Sequence, residues 1–192
     1  MSLYIVSMST TEGPTGPTVN MSYHRTEGEG RIAYDLRRKG VDNVTALAPA
    51  DVRAEAGGDR TISSATASLV YDTRDEYNFP TRGARLAWTE ELAGGALGGG
   101  VDFLKSELRG GKWFLLSPTA EQTLALVGRV GALTGTGGTL PFYERFYLGG
   151  AYDMRGFDFN DVGSAGTYDL TSGPQPMGGL TYGYFTAEYT IK

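Results

Sequence analysis

The chain has 192 residues, a net charge of −5 and no cysteine. The acidic balance argues against nucleic-acid binding, which needs a basic surface, and the lack of cysteine excludes a disulfide scaffold but leaves the compartment open. The 29 glycines and 12 tyrosines favour a β protein with many turns. No segment approaches the ~18 consecutive apolar residues of a transmembrane helix, although spanning β-strands alternate and give only a weak hydropathy signal.

The first part of the chain predicts strands joined by turns. Residues 2–10 form a β-prone stretch that does not alternate, whereas 18–25 and 31–38 alternate apolar and polar side chains with period two. The segments 12–17 and 27–30 are dense in turn-forming residues and predict tight connections.

Longer connections separate the later strands. Residues 39–59 break the alternation and predict a loop with a short helix near 49–55. Alternation then resumes in the stretches 61–72, 84–91, 104–116, 124–132 and 185–191. Tight turns around Gly28, Pro80 and Pro118 alternate with long loops at 39–59, 93–100 and 135–178. Short turns at one end and long loops at the other are typical of outer-membrane barrels.

The alternating strands have one apolar and one charged face, which fits both a soluble sandwich and a barrel whose apolar face meets lipid. The stretch 104–116 exceeds the ~5–6 residues usual for soluble strands and fits a tilted bilayer crossing. We therefore predict an all-β fold, an antiparallel transmembrane β-barrel. The residues expected to face lipid are Ala67, Leu69, Leu86, Leu108, Leu126 and Ala187. Those expected to face the lumen are Arg85, Glu107, Arg109, Arg129 and Glu188.

The polar residues form no catalytic constellation. The glycine-rich segment 94–100 lacks the lysine and helix of a phosphate loop, so we interpret it as a hairpin loop. His24 is the only histidine, which excludes histidine-cluster metal sites. Asp72, Asp75 and Glu76 are acidic, but Arg74 interrupts them and favours a polar turn over a cation site. We expect no enzyme activity and no cofactor.

The stretch 140–157, LPFYERFYLGGAYDMRGF, is the most informative part of the sequence. It combines dense aromatic residues with a long segment that does not alternate, and such a segment is usually functional or disordered. Disordered segments are poor in aromatics, so we predict an ordered loop. Arg155 is then a charge that must be placed and paired, with an ordinary solvated loop arginine as the alternative.

Three motifs resemble the BamA-type outer-membrane barrel-assembly insertases of the bacterial surface antigen superfamily. Met154, Arg155, Gly156 and Phe157 resemble that family's VRGF/Y signature, with Met in place of Val, and residues 141–150 resemble the segment leading into it. A strand-turn motif of the family resembles residues 71–75 and 79–83. Its residues here are Asp72, Arg74, Asp75, Phe79, Pro80 and Gly83.

The resemblance implies a barrel of about sixteen strands, of which this chain supplies about eight from the middle. The POTRA domains and the first and last strands would be absent. Residues 1–4 do not have the pattern of a secretory signal peptide. A cytoplasmic protein could begin in this way, but the motifs favour an internal piece of a longer secreted precursor.

The resemblance also implies the position of both motifs. The extracellular loop 135–178 would fold into the barrel, where Arg155 pairs with acidic groups of the inner wall. Glu188 is the candidate partner within this chain. Gly156 would let the backbone pass close to the wall and Phe157 would wedge the tip of the loop. The turn from Asp72 to Gly83 would be periplasmic.

The function implied is the folding and insertion of β-barrel proteins into the bacterial outer membrane. The partners would be the lipid bilayer, nascent outer-membrane proteins and accessory assembly lipoproteins. A two-partner secretion pore or a translocation-and-assembly barrel is the alternative within the family. A passive porin, or a barrel-bound phospholipase with a nucleophile beside His24, is the alternative outside it.

Overall fold

The computed structural model describes residues 5–13, 16–25, 28–41, 43–46, 48–119, 121–138, 140–151, 153–163 and 176–191. These residues form one antiparallel sheet of eight strands in sequence order. The strands are β1 Ile5–Gly13, β2 Gly16–Arg25, β3 Gly28–Lys39, β4 Arg60–Asp72, β5 Gly83–Ala93, β6 Asp102–Ser117, β7 Gln122–Gly137 and β8 Thr181–Thr190. Within the described part, β1 and β8 lie at the two edges and do not pair with each other, so the strands form an open wall of a barrel.

Helical structure in the described residues is short. Helix α1, Ala50–Ala54, lies in the loop between β3 and β4, where the sequence predicts a helix near 49–55. Single 3-10 turns occur at Gly95–Leu97 and Phe142–Glu144. None of the helices in the described ranges is long and apolar enough to cross a membrane.

One face of the sheet carries large apolar side chains that remain exposed. Strand pairing aligns Leu69, Trp88, Leu108 and Val130 in one row across four neighbouring strands. The same face also carries Met21, Ile32, Tyr71, Leu86, Leu92, Leu104, Phe114, Leu116, Phe185 and Tyr189. Because side chains alternate between the faces of a strand, the register places all the predicted lipid-facing residues on this face. The predicted lumen-facing residues lie on the other face. The division of the side chains between two faces is thereby confirmed, and the contact of the apolar face with lipid stays a prediction.

Glu90 and Lys112 are charged residues on the apolar face. The carboxylate of Glu90 accepts hydrogen bonds from the Ser106 hydroxyl on β6, with Oγ–Oε distances of 2.8 and 2.7 Å. The Nζ of Lys112 lies 5.8 Å from the ring centroid of Phe114. Hydrogen bonding and aromatic contact offset part of the cost of placing a charge on an apolar surface.

The buried core lies on the charged face, at the end of the wall where the long loops connect the strands. Ile62 and Phe103 are fully buried there, and Leu133 is 3% exposed. Phe146, from the loop between β7 and β8, packs against this cluster. The loop therefore folds onto the face that carries the charged residues, which is the lumen side of the barrel wall.

The boundaries of two predicted connections are corrected. Gly135 and Gly137 pair with Phe103 and Asp102, so β7 extends to Gly137 and the loop predicted from 135 begins at 138. Gly28 already pairs with Tyr71, so most of the predicted turn 27–30 belongs to β3. In both places glycines suggested a turn, but strand pairing uses only the backbone. Within the predicted turn 12–17, residues 14 and 15 lie outside the described residues.

Candidate functional site

The loop between β7 and β8, here called the docked loop, has a base held by backbone pairing. Phe146 and Gly179 exchange hydrogen bonds, with N–O distances of 2.9 and 2.8 Å. Further along, the amide of Val162 donates to the carbonyl of Leu148 at 2.9 Å. These pairs define two parts. The loop base comprises 140–148 and 176–180, and the loop tip is the described part of 149–163.

Aromatic side chains seat the loop base on the wall. The ring centroids of Phe146 and Tyr182 on β8 are 4.7 Å apart. The Nζ of Lys105 on β6 lies 4.8 Å from the Phe146 centroid, and that of Lys39 on β3 lies 5.2 Å from the Tyr143 centroid. Aromatic and cation–π contacts of this kind add to the burial of apolar area. The dense aromatics at 142–147 thus pack on the inner wall.

Glu144 is the most buried charged residue of the described part of the loop. Its side chain is 4% exposed and lies between Lys39, at an Nζ–Oε1 distance of 2.9 Å, and Arg37, at an Nη2–Oε2 distance of 3.4 Å. Its backbone carbonyl accepts a hydrogen bond from Lys105 at 3.0 Å. Arg37 also pairs with Glu91 on β5 at 2.8 Å. A loop carboxylate is therefore held within a network that spans β3, β5 and β6.

The loop tip places Arg155 beside the predicted partner. Its Nη2 lies 2.8 Å from Oε1 of Glu188 on β8, with side chains 77% and 43% exposed. Within the tip, the amide of Phe157 donates to the carbonyl of Met154 at 3.3 Å. The functional role of the four motif residues stays a prediction.

Two expectations about the tip are not met. A Cβ added to Gly156 would meet no atom within 4 Å, so no close contact requires glycine there, and its φ of +95° is what favours glycine. Phe157 is 52% exposed and does not wedge into the wall.

Asp153 provides a second contact between tip and wall. Its carboxylate pairs with Arg129 on β7 and lies 3.4 Å from the hydroxyl of Tyr184 on β8. Arg129 also donates to the Tyr184 hydroxyl at 3.1 Å. The tip therefore presents one acidic and one basic residue to complementary groups on two neighbouring strands.

The connection between β4 and β5 is an ordered turn built around Arg74 and Asp75. The Nη2 of Arg74 lies 2.7 Å from Oδ2 of Asp72, and its guanidinium carbon lies 5.5 Å from the ring of Trp113. The hydrogen bond with Asp72 raises the pKa of Arg74 above its ordinary value. Arg74 thus joins the turn to the inner wall of β6.

Asp75 closes the same turn from its other side. Its carboxylate accepts hydrogen bonds from the Thr81 hydroxyl at 2.6 Å, the Thr81 amide at 2.9 Å and the Arg82 amide at 3.0 Å. These donors, the Thr81 hydroxyl foremost, lower the pKa of Asp75 to about 2.

Phe79, Pro80 and Gly83 complete the predicted turn motif. Phe79 is 67% exposed at the surface of the turn, and Pro80 follows it. Gly83 has a φ of +105°, and a Cβ there would lie only 2.7 Å from the backbone Cα of Arg74. Both the conformation and the close approach therefore require glycine.

No group of three His, Cys, Asp or Glu side chains in the described ranges is arranged to hold a metal ion. In the turn, Asp72 and Asp75 instead accept hydrogen bonds from Arg74 and Thr81. In the glycine-rich connection, Asp102 accepts a bond from the Gly95 amide at 2.8 Å, which fits the predicted hairpin loop. The side chain of His24 lies outside the described part.

One family model matches nearly the whole chain, both wall and loop. The Omp85 superfamily domain matches residues 5–192. The chain belongs to the Omp85 superfamily. The resemblance predicted from the loop and turn motifs is thereby confirmed.

Relatives of this Omp85 chain occur in both eukaryotes and bacteria. It is 35% identical over 161 residues to a SAM50-like protein of Schizosaccharomyces pombe. The aligned region covers 83% of this chain and 32% of that protein. It is 32% identical over 143 residues to the outer membrane protein assembly factor BamA of Nitratidesulfovibrio vulgaris, covering 73% of this chain and 17% of that protein. The chain thus spans a third or less of the length of these relatives.

A solved structure has the same fold as the Omp85 chain. BamA from Haemophilus ducreyi lacking POTRA domains 1–3 superposes with a TM-score of 0.70, covering 97% of this chain and 40% of that one. The sequence identity is 14%, so this likeness concerns the fold alone.

Sequence reasoning missed two residues of the Omp85 loop. Glu144 stands in a run of aromatic residues and belongs to none of the predicted sites, and neither does Asp153. The sequence does contain a signal for Asp153. It is an acidic residue two positions before Arg155, and Arg129 is a predicted lumen-facing arginine that needs an acidic partner. For Glu144 the only signal in the sequence is its position in a dense run of aromatic residues, because such a run is expected to be partly buried.

Proposed function

We propose that the protein folds and inserts β-barrel proteins into an outer membrane. The observation that carries this proposal is the docked loop on the charged inner face of a barrel wall, in a chain matched to the Omp85 superfamily from residue 5 to residue 192. The name of the N. vulgaris relative, outer membrane protein assembly factor, supports it. The proposal extends to a full-length protein of about sixteen strands with POTRA domains.

The proposed mechanism is non-enzymatic and needs no cofactor. An unpaired strand edge in a membrane offers backbone donors and acceptors that have no water to satisfy them. A client strand that pairs with such an edge gains the full set of backbone hydrogen bonds, as in other cases of strand addition. A weak seam between the first and last strands of the complete barrel would supply this edge.

The proposed location is the bacterial outer membrane. Superfamily membership supports an outer membrane, and the N. vulgaris relative supports a bacterial one, while the S. pombe relative comes from a eukaryote. The proposed partners are the lipid bilayer, nascent outer-membrane proteins and accessory assembly lipoproteins.

A reconstitution experiment tests the activity. The purified full-length protein is inserted into liposomes, and a urea-unfolded outer-membrane β-barrel is added. Folding of this client is followed by its faster migration in unheated gel samples. We expect folding to be several-fold faster than in liposomes that carry an unrelated passive barrel. Equal rates in the two preparations would contradict the proposal.

The same liposomes separate the assembly function from the pore alternatives. A passive porin would let small sugars through without accelerating client folding. A two-partner secretion or translocation pore would move an unfolded exported protein across the liposome membrane. An assembly factor accelerates folding of a barrel client into the bilayer, and we expect this result alone.

A further inference from the structure

The docked loop is attached to the wall at two separate places. The loop base contacts β3 and β6 through Glu144 and packs Phe146 into the buried core. The loop tip contacts β7 and β8 through Asp153 and Arg155. These attachments share no side chain, so one can change without breaking the contacts of the other.

Burial makes the attachment of the base difficult to release. A carboxylate that is 4% exposed has lost most of its water, and its charge is compensated by Lys39 and Arg37. Removing one member of a buried ion pair leaves the other charge uncompensated, which is far more costly than losing an exposed pair. Met177, on the other limb of the base, is 3% exposed, and its carbonyl accepts a hydrogen bond from Arg145 at 3.3 Å. Both segments of the loop base, 140–148 and 176–180, are therefore held by buried contacts.

Exposure makes the attachment of the tip easier to release. The Arg155 side chain is 77% exposed, and exposed ion pairs contribute little to stability. The second contact of the tip, between Asp153 and Arg129, is more sheltered, at 25% and 19% exposed, but both side chains are still more exposed than Glu144. The tip also holds itself together, because the Gly150 amide donates to the Phe157 carbonyl at 3.1 Å. Gly149 and Gly150 join it to the base with φ values of +123° and +102°. The part of the tip closed by this bond, residues 150–157, can therefore move as a unit beyond the Leu148–Val162 pair, which stays with the base.

We propose that Glu144 is the residue that positions the loop base inside the barrel, and that the tip carrying Arg155 detaches without releasing the base. Glu144 acts through Lys39 and Arg37 and is a positioning residue. The proposal concerns the docking of the loop and does not depend on whether the protein folds clients.

Site-directed labelling tests this in the full-length protein in liposomes. The 192 residues hold no cysteine, so a reporter introduced here is unique within them, and any cysteine elsewhere is replaced. Met177→Cys reports on the buried base and Met154→Cys on the half-buried tip. Each reporter is combined with Glu144→Gln, with Arg155→Ala, or with the control Glu76→Gln in the turn between β4 and β5. The rate of maleimide labelling is measured.

We expect Glu144→Gln to raise labelling at position 177 at least ten-fold, whereas Arg155→Ala raises labelling at 154 and leaves 177 unchanged. Glu76→Gln should change neither. Unchanged labelling at 177 in Glu144→Gln, or an equal rise there in Arg155→Ala, would overturn the proposal.

A double-mutant cycle separates positioning from general destabilisation. Lys39→Gln should raise labelling at 177, and combining it with Glu144→Gln should add little, because both changes remove the same interaction. Additive effects, as from two independent defects, would overturn the role of the pair. If Glu144→Gln fails to insert, Lys39→Gln alone decides: labelling at 177 must rise for the proposal to stand.

Discussion

Val130→Arg tests which face of the wall meets lipid. Val130 lies near the middle of β7, is 53% exposed on the apolar face and pairs with Leu108. Val127, three residues earlier on the same strand, faces the lumen and lines a cavity of about 450 Å³ together with Asp153 and Glu188. Val127→Arg is therefore a matched control with the same residue type, strand and substitution.

The expected magnitudes differ because only one of the two arginines meets hydrocarbon. An arginine at mid-membrane on the lipid face of a barrel costs about 2–4 kcal/mol, which is a factor of about 30 to 900 in the unfolding equilibrium. An arginine at position 127 remains in a polar lumen beside two carboxylates, and ion pairs in such surroundings change stability by about 1 kcal/mol or less. We therefore expect Val130→Arg to cost at least about 1 kcal/mol more than Val127→Arg.

Guanidinium unfolding of the full-length protein in phospholipid vesicles measures this difference. Tryptophan fluorescence is a suitable signal, since Trp88 and Trp113 lie on opposite faces of adjacent strands. The slope of the free energy against denaturant should stay constant, so that a shifted midpoint reports stability. Equal losses in Val130→Arg and Val127→Arg, or a larger loss in the latter, would refute the assignment of faces.

The remaining predictions concern the tip and the turn. Arg155→Ala removes an exposed pair with Glu188, and Arg155→Lys cannot reproduce its planar fork. Both should reduce growth complementation and increase proteolysis of the tip with little loss of barrel stability, whereas full complementation with unchanged protection would make Arg155 an ordinary surface residue. Asp75 has a pKa lowered to about 2, so its stabilising effect is complete above the unfolded-state value near 4 and is lost as the pH falls toward 2. Asp75→Asn should make the free energy of unfolding less dependent on pH between about 4 and 2. The lost dependence should amount to roughly 1 kcal/mol or less, because the Asp75 side chain is exposed. An unaltered dependence on pH would contradict this role.

The division of side chains between lipid and lumen could be predicted because it depends on alternation alone. Leu86 and Arg85 are neighbours in sequence, and a strand must turn them to opposite faces whatever the rest of the fold does. Alternation with Leu108 and Phe114 likewise puts Lys112 on the apolar face, where the structure has it. The hydrogen bonds of Glu90 with Ser106 could not be predicted by alternation, because they depend on the register of a neighbouring strand.

The partners of loop residues could not be predicted in the same way. Glu144 and Arg37 are 107 positions apart in the chain, and no local pattern relates a loop residue to a strand so distant. The family resemblance directed attention to Arg155, which has the more exposed attachment. What decided the importance of Glu144 was burial, and burial is a property of the assembled wall.

The distance in sequence between Glu144 and β3 has a consequence for the order of folding. Hairpins such as β6 and β7 close short loops and can form early, while contacts between remote parts of a chain form slowly because more entropy is lost on closing them. The Glu144 carboxylate reaches Lys39, and its backbone carbonyl reaches Lys105, only when β3 to β6 have already paired into a wall. We therefore expect seating of the loop to be a late step of biogenesis, on a wall whose strands have already paired in the correct order.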